Sequence, residues 1–571
     1  MRNNMHSFAA TPAANIPRSR FDMPCNVKFT GNTGDLIPFY VCEVLPGDTF
    51  DVNTSIVCRL QTLIHPIFDN IYLDTYYFFV PNRLVWDNWK HFMGEPDQAW
   101  IPTQDWTVPQ IQRRVVFDKT DTGATSTYNY DVCFKDTIVD YMGIGADAIT
   151  SIDKTGFTMA GINALPIRAY NKIYDDWFRD ENLIDPINLY TGDNDVDGYS
   201  SASYAVDPLK GGKCYKAAKL HDYFTSALPQ AQRGNAAILR TGLNPDQPIV
   251  KTSSTVFNTG NTYGMHMHRH DNYNNASITN KTVSDQTVFG LNASNTPQTA
   301  SALYYPDNLY ADLSNLNLGI SINDLRMAFQ VQKFMERSAR GGARYIELIK
   351  SMFGVTSPDA RLQRSEYLGG HRVPINIHQI VNTTETVSTP LGNTGAMSVT
   401  SDVHNDFIHS FTEHGYVIGI CCVRYKHSYP QGMDRMWSRS TKFDFYFPVF
   451  ANIGEQPIRN REIYFSNLTG DQFNVFGYQE AWADYRYKPN RVMGEMRPNI
   501  NNTLASWHLS DSYTSQPILS KAWIQEDLAP IDRALAVSHT AADQMLFDIL
   551  VNNKATRPMP LYSIPGLVDH F

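Results

Sequence analysis

The chain has 571 residues, more than one hydrophobic core usually organises, so either several domains or, as favoured here, one domain with large insertions is expected. Charged residues make up 18% of it, against roughly 25% in an ordinary globular protein, while aromatics reach 12% with 31 Tyr and 30 Phe. Such uncharged, Tyr-rich surface suits contact with other protein, with a large β-rich core as the alternative, and a net charge of -9 excludes nucleic-acid binding over the whole surface.

Residues 1 to about 30 are polar, with Pro12, Pro17 and Pro24 and the cations Arg2, Arg18, Arg20 and Lys28 nearly unopposed by acids, which reads as an extended arm. Met1 to Ala14 lacks the apolar run of a signal peptide. No segment approaches the ~18 consecutive apolar residues of a membrane helix, so neither export by that route nor membrane insertion is expected. Short runs rich in β-branched and aromatic residues follow at Leu36 to Val41, Ser55 to Cys58 and Tyr72 to Val80, with turn signals at Pro46-Gly47-Asp48 and Asp69-Asn70, and these read as strands.

After Pro166, a good first helical residue, Ile167, Tyr170, Tyr174, Trp177 and Phe178 recur at helical spacing. Between Gly234 and Asn317 the composition turns to Asn, Ser, Thr, Gly and Tyr, and a connection this long is a surface projection more readily than core. A second helix is expected from Ser321, whose Ser-Ile-Asn-Asp pattern suits a capping box, to the break at Gly341-Gly342, and a third from Tyr345 to the stop at Gly354. Further strands are expected at Tyr416 to Val423, Phe443 to Phe447 and Glu462 to Phe465. The first of these is apolar at odd and even positions alike, so both its faces should be covered. Strand blocks this far apart must pair non-locally, as in a Greek-key sandwich.

Catalytic patterns are missing: the sequence contains no His-Glu-x-x-His, no phosphate loop and no Gly-x-Ser-x-Gly. Gly143-Ile-Gly145 lacks the alternating strands and helices of a dinucleotide fold. Asp193, Asp195 and Asp197 before Gly198 could wrap a calcium ion, but Tyr204 stands where a bidentate Glu is required, so a solvated acidic turn is favoured. His266, His268 and His270 alternate and could share one strand face, which also suits a polar tip that binds nothing. Seven scattered cysteines with no Cys-x-x-Cys, including the apolar pair Cys421-Cys422, read as reduced, inert thiols. No cofactor is expected.

Several stretches together resemble the major capsid proteins of microviruses, specifically the gokushovirus branch. They are Leu165 to Tyr170 continuing to Trp177-Phe-Arg-Asp180, Tyr223 to Pro229, Ala339 to Tyr345, Ser357 to Arg361 with Tyr367 to Gly370, Tyr485 to Asn490, and Arg557 to Leu567. One departure falls at Leu228 to Gly234, where a Trp-Pro pair would be expected. The resemblance implies a mainly β fold, a viral eight-stranded antiparallel jelly roll with very long loop insertions and a few helices. It implies an arm over 1–30, a first part of the jelly roll over 31–234, a polar three-fold protrusion over 235–312 and a second part over 313–571.

By the same resemblance, the chain would self-associate into a T=1 icosahedral shell around circular single-stranded DNA. It would be assembled in the bacterial host cytoplasm with a scaffolding protein, a small basic DNA-binding protein and a DNA pilot protein. Arg2, Arg18, Arg20 and Lys28 would face the DNA. His266, His268, His270 and Tyr273 would face a host surface receptor. The competing classes are a lectin-like glycan binder and, given the missing motifs, a less favoured hydrolase on a β scaffold.

Overall fold

The computed structural model describes residues 16–95, 106–112, 114–115, 135–144, 157–158, 161–197, 207–234, 249–251, 265–269, 272–283, 286–291, 304–306, 309–311, 322–383, 391–465 and 471–562. The chain divides into two compact units, Met1–Arg233 with Glu336–Phe571, and Gly234–Met335.

The larger unit is built on eight strands: β1 (Ser19–Gly31), β2 (Ile37–Val44), β3 (Thr49–Leu60), β4 (Ile71–Pro81), β5 (Glu366–Pro374), β6 (Thr400–Ser410), β7 (Gly415–Tyr425) and β8 (Met545–Arg557). They form two four-stranded sheets, ordered β1-β8-β3-β6 and β5-β4-β7-β2, with every neighbouring pair antiparallel. Each connection between consecutive strands crosses from one sheet to the other except β4 to β5, which are neighbours in one sheet. That order is the viral jelly roll. Its long insertions are residues 82–365 and 426–544.

Binary patterning explains the first sheet. Along β3, Phe50, Val52, Thr54, Ile56, Cys58 and Leu60 are buried while the residues between them are not; along β8 the buried set is Met545, Phe547, Ile549, Val551, Asn553 and Ala555. Period-two alternation sends one set inward, where it meets Leu73, Tyr77, Phe79, Val417, Cys421 and Val423 of the second sheet in one core.

The second sheet is covered on both sides. Residues of β4 and β7 that point away from the sandwich, including Phe78, Val80, Ile418, Ile420 and Cys422, belong to another buried cluster with Leu165, Ile167, Tyr170 and Ile173 of α1 (Leu165–Ile173). The expected coverage of both faces of Tyr416 to Val423 is therefore met by an insertion helix. The Tyr170 hydroxyl donates to the Leu36 carbonyl at 2.7 Å, and Trp177 Nε1 donates to the Ser365 carbonyl at 3.0 Å, tying the helical segment to the starts of β2 and β5. Cys421 points into the inner core and Cys422 into the outer cluster; the six described cysteines carry free thiols.

The two later helices form α2 (Ile322–Gly341) and α3 (Tyr345–Phe353), the latter capped by Glu347 accepting from the Arg344 N–H at 3.1 Å and closed by Gly354 at φ 71°. Two strand expectations are corrected. Phe443–Phe447 begins in a 3-10 turn, Lys442–Asp444, and then runs exposed, because its aromatics find no ladder partner and Pro448 follows. Glu462 lies in a helical turn, Asn460–Ile463, whose start it caps by accepting from the Arg459 N–H at 2.9 Å. Of the segment read as an arm, Ser19–Gly31 is β1, paired along its whole length with β8 from Ser19↔Arg557 to Gly31↔Met545.

The smaller unit contains the polar stretch 235–312. Its described strands are Gln286–Leu291, Asn272–Val283, Met265–Arg269 and Tyr304–Pro306, in that sheet order, and a pair, Ile249–Lys251 with Leu309–Ala311.

Because Ile418 is fully buried between β7 and α1 whereas Val403 stands exposed on β6, Ile418→Ala should lower unfolding stability by about 2–5 kcal/mol and Val403→Ala by about 0.5 kcal/mol or less. Denaturant titration of unassembled subunits measures both.

Candidate assembly surface

Residues 434–454 form an exposed loop whose apolar side chains face outward: Trp437 is 67% exposed, Phe443 62% and Val449 88%, with Phe445, Phe447 and Ile453 also exposed. The loop is nevertheless fixed. Arg439 pairs with Asp484, and its guanidinium lies 4.3 Å from the Tyr485 ring centre and 5.6 Å from that of Phe445. Trp482 Nε1 donates to the Phe450 carbonyl at 2.8 Å. Asp444 accepts from the backbone N–H groups of Thr441 (2.7 Å) and Ser440 (3.0 Å) and from the Thr441 hydroxyl (2.9 Å), bonds that hold its carboxyl down to about 2. An apolar surface held this way loses little conformational entropy when another protein covers it.

Beside the loop lies a cleft of about 380 Å³, lined by Tyr223, Phe224, Arg435, Met436, Tyr485 and Tyr487 among others. The chain leaving β7 is anchored beneath by a buried charge network. His427 Nδ1 meets Asp511 Oδ1 at 2.7 Å and its Nε2 meets Glu526 Oε2 at 2.9 Å, while Lys219 Nζ donates to Asp511 Oδ2 at 3.0 Å. Burial alone would push His427 down, but Asp511 and Glu526 outweigh it and bring the imidazole up to about 9. Burial likewise opposes the charge on Asp511, yet His427 and Lys219 hold that carboxyl well below its usual range.

The described residues among those singled out in the sequence fall on several different elements. Arg20 lies 3.8 Å from Asp51 and Lys28 3.7 Å from Asp548, so across the β1, β3 and β8 ladder the cations gain carboxylates that their own segment lacks. Arg18 is exposed just before β1, and Arg2 lies outside the described residues. His266 and His268 sit on the strand Met265–Arg269 opposite Ser277 and Asn275, Tyr273 is on the neighbouring strand Asn272–Val283, and His270 is outside the described residues. Asp193 is occupied by Trp86 Nε1 (2.7 Å) and Asn88 Nδ2 (2.8 Å), and Asp195 accepts from the Gln110 N–H at 2.9 Å. Both carboxylates hold loops together. Only the backbone of Asp197 is described, in a short strand beside Gln112. Sequence reading missed the outward aromatics of 434–454; the run Phe443-Asp-Phe-Tyr-Phe447 was visible but was assigned to a strand.

A family model described as "Capsid protein (F protein)" matches residues 9–567. The chain belongs to this capsid protein family. It is 38% identical over 572 residues to capsid protein VP1 of Spiroplasma virus 4, covering 99% of this chain and 98% of the relative. To capsid protein VP1 of Bdellovibrio phage phiMH2K it is 37% identical over 584 residues, covering 100% and 99%. To that of Chlamydia phage 1 it is 36% identical over 617 residues, covering 98% and 97%. As a capsid protein it is a structural component of the virion that self-assembles, and its family is not one of enzymes.

The buried network makes the capsid protein's stability depend on pH. His427 has a folded pKa of about 9 against 6.5 when unpaired, so its contribution is fully present below about 6.5 and is lost as pH rises through 9. The Asp511 contribution runs the other way, present above 3.8 and lost as pH falls toward its depressed value. Chemical denaturation of subunits between pH 6 and 10 should show stability falling on the alkaline side, and His427→Gln should be less stable at pH 6 with a flatter alkaline limb.

Proposed function

We infer that this capsid protein builds a closed icosahedral shell around a circular single-stranded DNA genome, each copy using its 434–454 loop against a neighbouring copy. The observation that carries this is the loop itself: exposed aromatic and aliphatic side chains, fixed by Arg439 and Trp482, in a chain aligned end to end with capsid proteins. Subunits held by several such contacts at once form a stable particle even when each contact is weak.

The net charge of -9 leaves most genome neutralisation to a small basic companion protein, with Arg2, Arg18, Arg20 and Lys28 as local DNA contacts. Assembly takes place in the host cytoplasm with a scaffolding protein, and a pilot protein accompanies the DNA. The polar insertion 235–312, with His266, His268, His270 and Tyr273, projects at the three-fold axes and meets the host receptor. A separate compact unit for residues 234–335 supports treating that segment as dispensable for the sandwich.

Electron microscopy of the nuclease-treated particle fraction should show uniform isometric shells containing protected single-stranded DNA; a chain sedimenting as a DNA-free monomer or small oligomer would overturn the shell. Val449→Asp should leave a folded subunit, by circular dichroism, that sediments singly, and normal yields of particles from it would remove the loop from the contact. Deleting 235–312 should spare shells but abolish infection, and loss of the folded sandwich in that deletion would refute its role as a projection.

A further inference from the structure

The edge of the sandwich where β5 and β6 meet carries a cluster of metal-type donors separate from the 434–454 loop and the His427 network. The two strands end different sheets, yet they lie side by side. Gly369 permits this: a Cβ there would fall 2.3 Å from the Asp406 carbonyl oxygen. The approach brings His371 of β5 against Asp402 and His404 of β6. His404 Nδ1 is 2.9 Å from Asp402 Oδ2, and His371 Nε2 is 3.7 Å from the same oxygen. The two imidazoles stack with centres 4.5 Å apart, and the three donor atoms all lie within 4.8 Å of one another.

The far side of His404 is equally specified. Its Nε2 faces Asp406 Oδ1 at 3.0 Å, and the Asp406 side chain is fully buried. As they stand, neither atom has a hydrogen-bond partner, although a small rotation of the ring or the carboxylate would align them. Asp406 is the extra residue of a β-bulge between Asn405 and Phe407, which is why Asp406 and Phe407 both turn inward. The other Asp406 oxygen accepts from the Thr54 hydroxyl, which is itself 2.7 Å from the Tyr77 hydroxyl. Asp406 holds the proton on Nε2, so a metal ion arriving at Nδ1 has only to displace the proton that Nδ1 now directs at Asp402. Carboxylate, imidazole and metal in line is the usual support of a histidine ligand.

We propose that His371 Nε2, Asp402 and His404 Nδ1 bind a divalent transition metal ion, zinc by donor chemistry, with Asp406 positioning His404. Two imidazole nitrogens and one carboxylate oxygen match zinc and disfavour calcium, which takes oxygen ligands. A tetrahedral zinc site needs its donors ~3.4 Å apart, from metal–ligand bonds of ~2.0–2.1 Å, so on binding the 2.9 Å His404–Asp402 pair opens slightly while the 3.7 Å His371–Asp402 pair draws in. The side chain of His371 is 48% exposed and that of His404 9%, which gives the ion a route from solvent and leaves a fourth position for water. Bound there, the ion ties the edge of one sheet to the edge of the other.

The test is zinc titration of chelator-treated, unassembled subunits by isothermal calorimetry, with zinc content checked by elemental analysis. Wild type should bind one zinc per subunit that His371→Ala lacks, with a higher thermal midpoint when that zinc is present. His371 is the half-exposed member of the cluster, so its loss leaves the core packing in place, as circular dichroism of the variant verifies. Asp406→Asn, which keeps all three ligands, should weaken that zinc by about 10–100-fold. Equal zinc binding by wild type and His371→Ala overturns the site, as does a wild type that takes up calcium as tightly as zinc. Unchanged affinity in Asp406→Asn overturns the positioning role.

Discussion

Strand β7 cannot be left half covered. Every residue from Gly415 to Val423 is buried, so both of its faces must find apolar partners, and most of the architecture follows from meeting that requirement. The inner face is met by the first sheet of the sandwich. The outer face is met by α1 and its neighbours, delivered by the insertion between β4 and β5. A jelly roll whose second sheet faced water would not need that insertion; one with this β7 does. The Tyr170 and Trp177 hydrogen bonds then pin the helical segment to the residues just before β2 and β5, so the cover is part of the fold and not an appendage.

What was legible in the sequence follows the same division. Strands β2, β3, β4 and β7 were found because their burial makes them dense in apolar and β-branched residues. Helices α1, α2 and α3 were found because apolar stripes and glycine stops leave local signals; Ser321, the expected cap of α2, lies outside the described residues. Strands β1, β5, β6 and β8 were not found. Pro24 interrupts β1, Gly369-Gly370 interrupts β5, and β6 interleaves Asp402, His404 and Asp406 with exposed Val403 and Asn405. In β8 the alternation of Met545, Phe547, Ile549 and Val551 was present and could have been read, although Asn552-Asn553-Lys554 dilutes it.

Sites were less legible than elements, for a physical reason. An aromatic run such as Phe443–Phe447 satisfies strand propensity and interface chemistry equally, and only the absence of a ladder partner separates them. His371 and His404 are far apart in sequence. Nothing local joins them; their meeting depends on how closely β5 approaches β6, which a glycine and a bulge decide. The cations of β1 show the converse. They looked unopposed along the chain, and pairing with β3 and β8 supplied Asp51 and Asp548.

The position of β8 has a temporal meaning. It is the last strand of the jelly roll to leave the ribosome, yet it lies between β1 and β3, two of the first. Until residues 545–557 emerge, the first sheet has an empty slot and the inner core lacks Met545, Phe547, Ile549 and Val551. Long-range strand pairing of this kind is slow, and exposed strand edges invite mispairing. A nascent or truncated chain that lacks β8 therefore cannot present a finished sandwich to its neighbours.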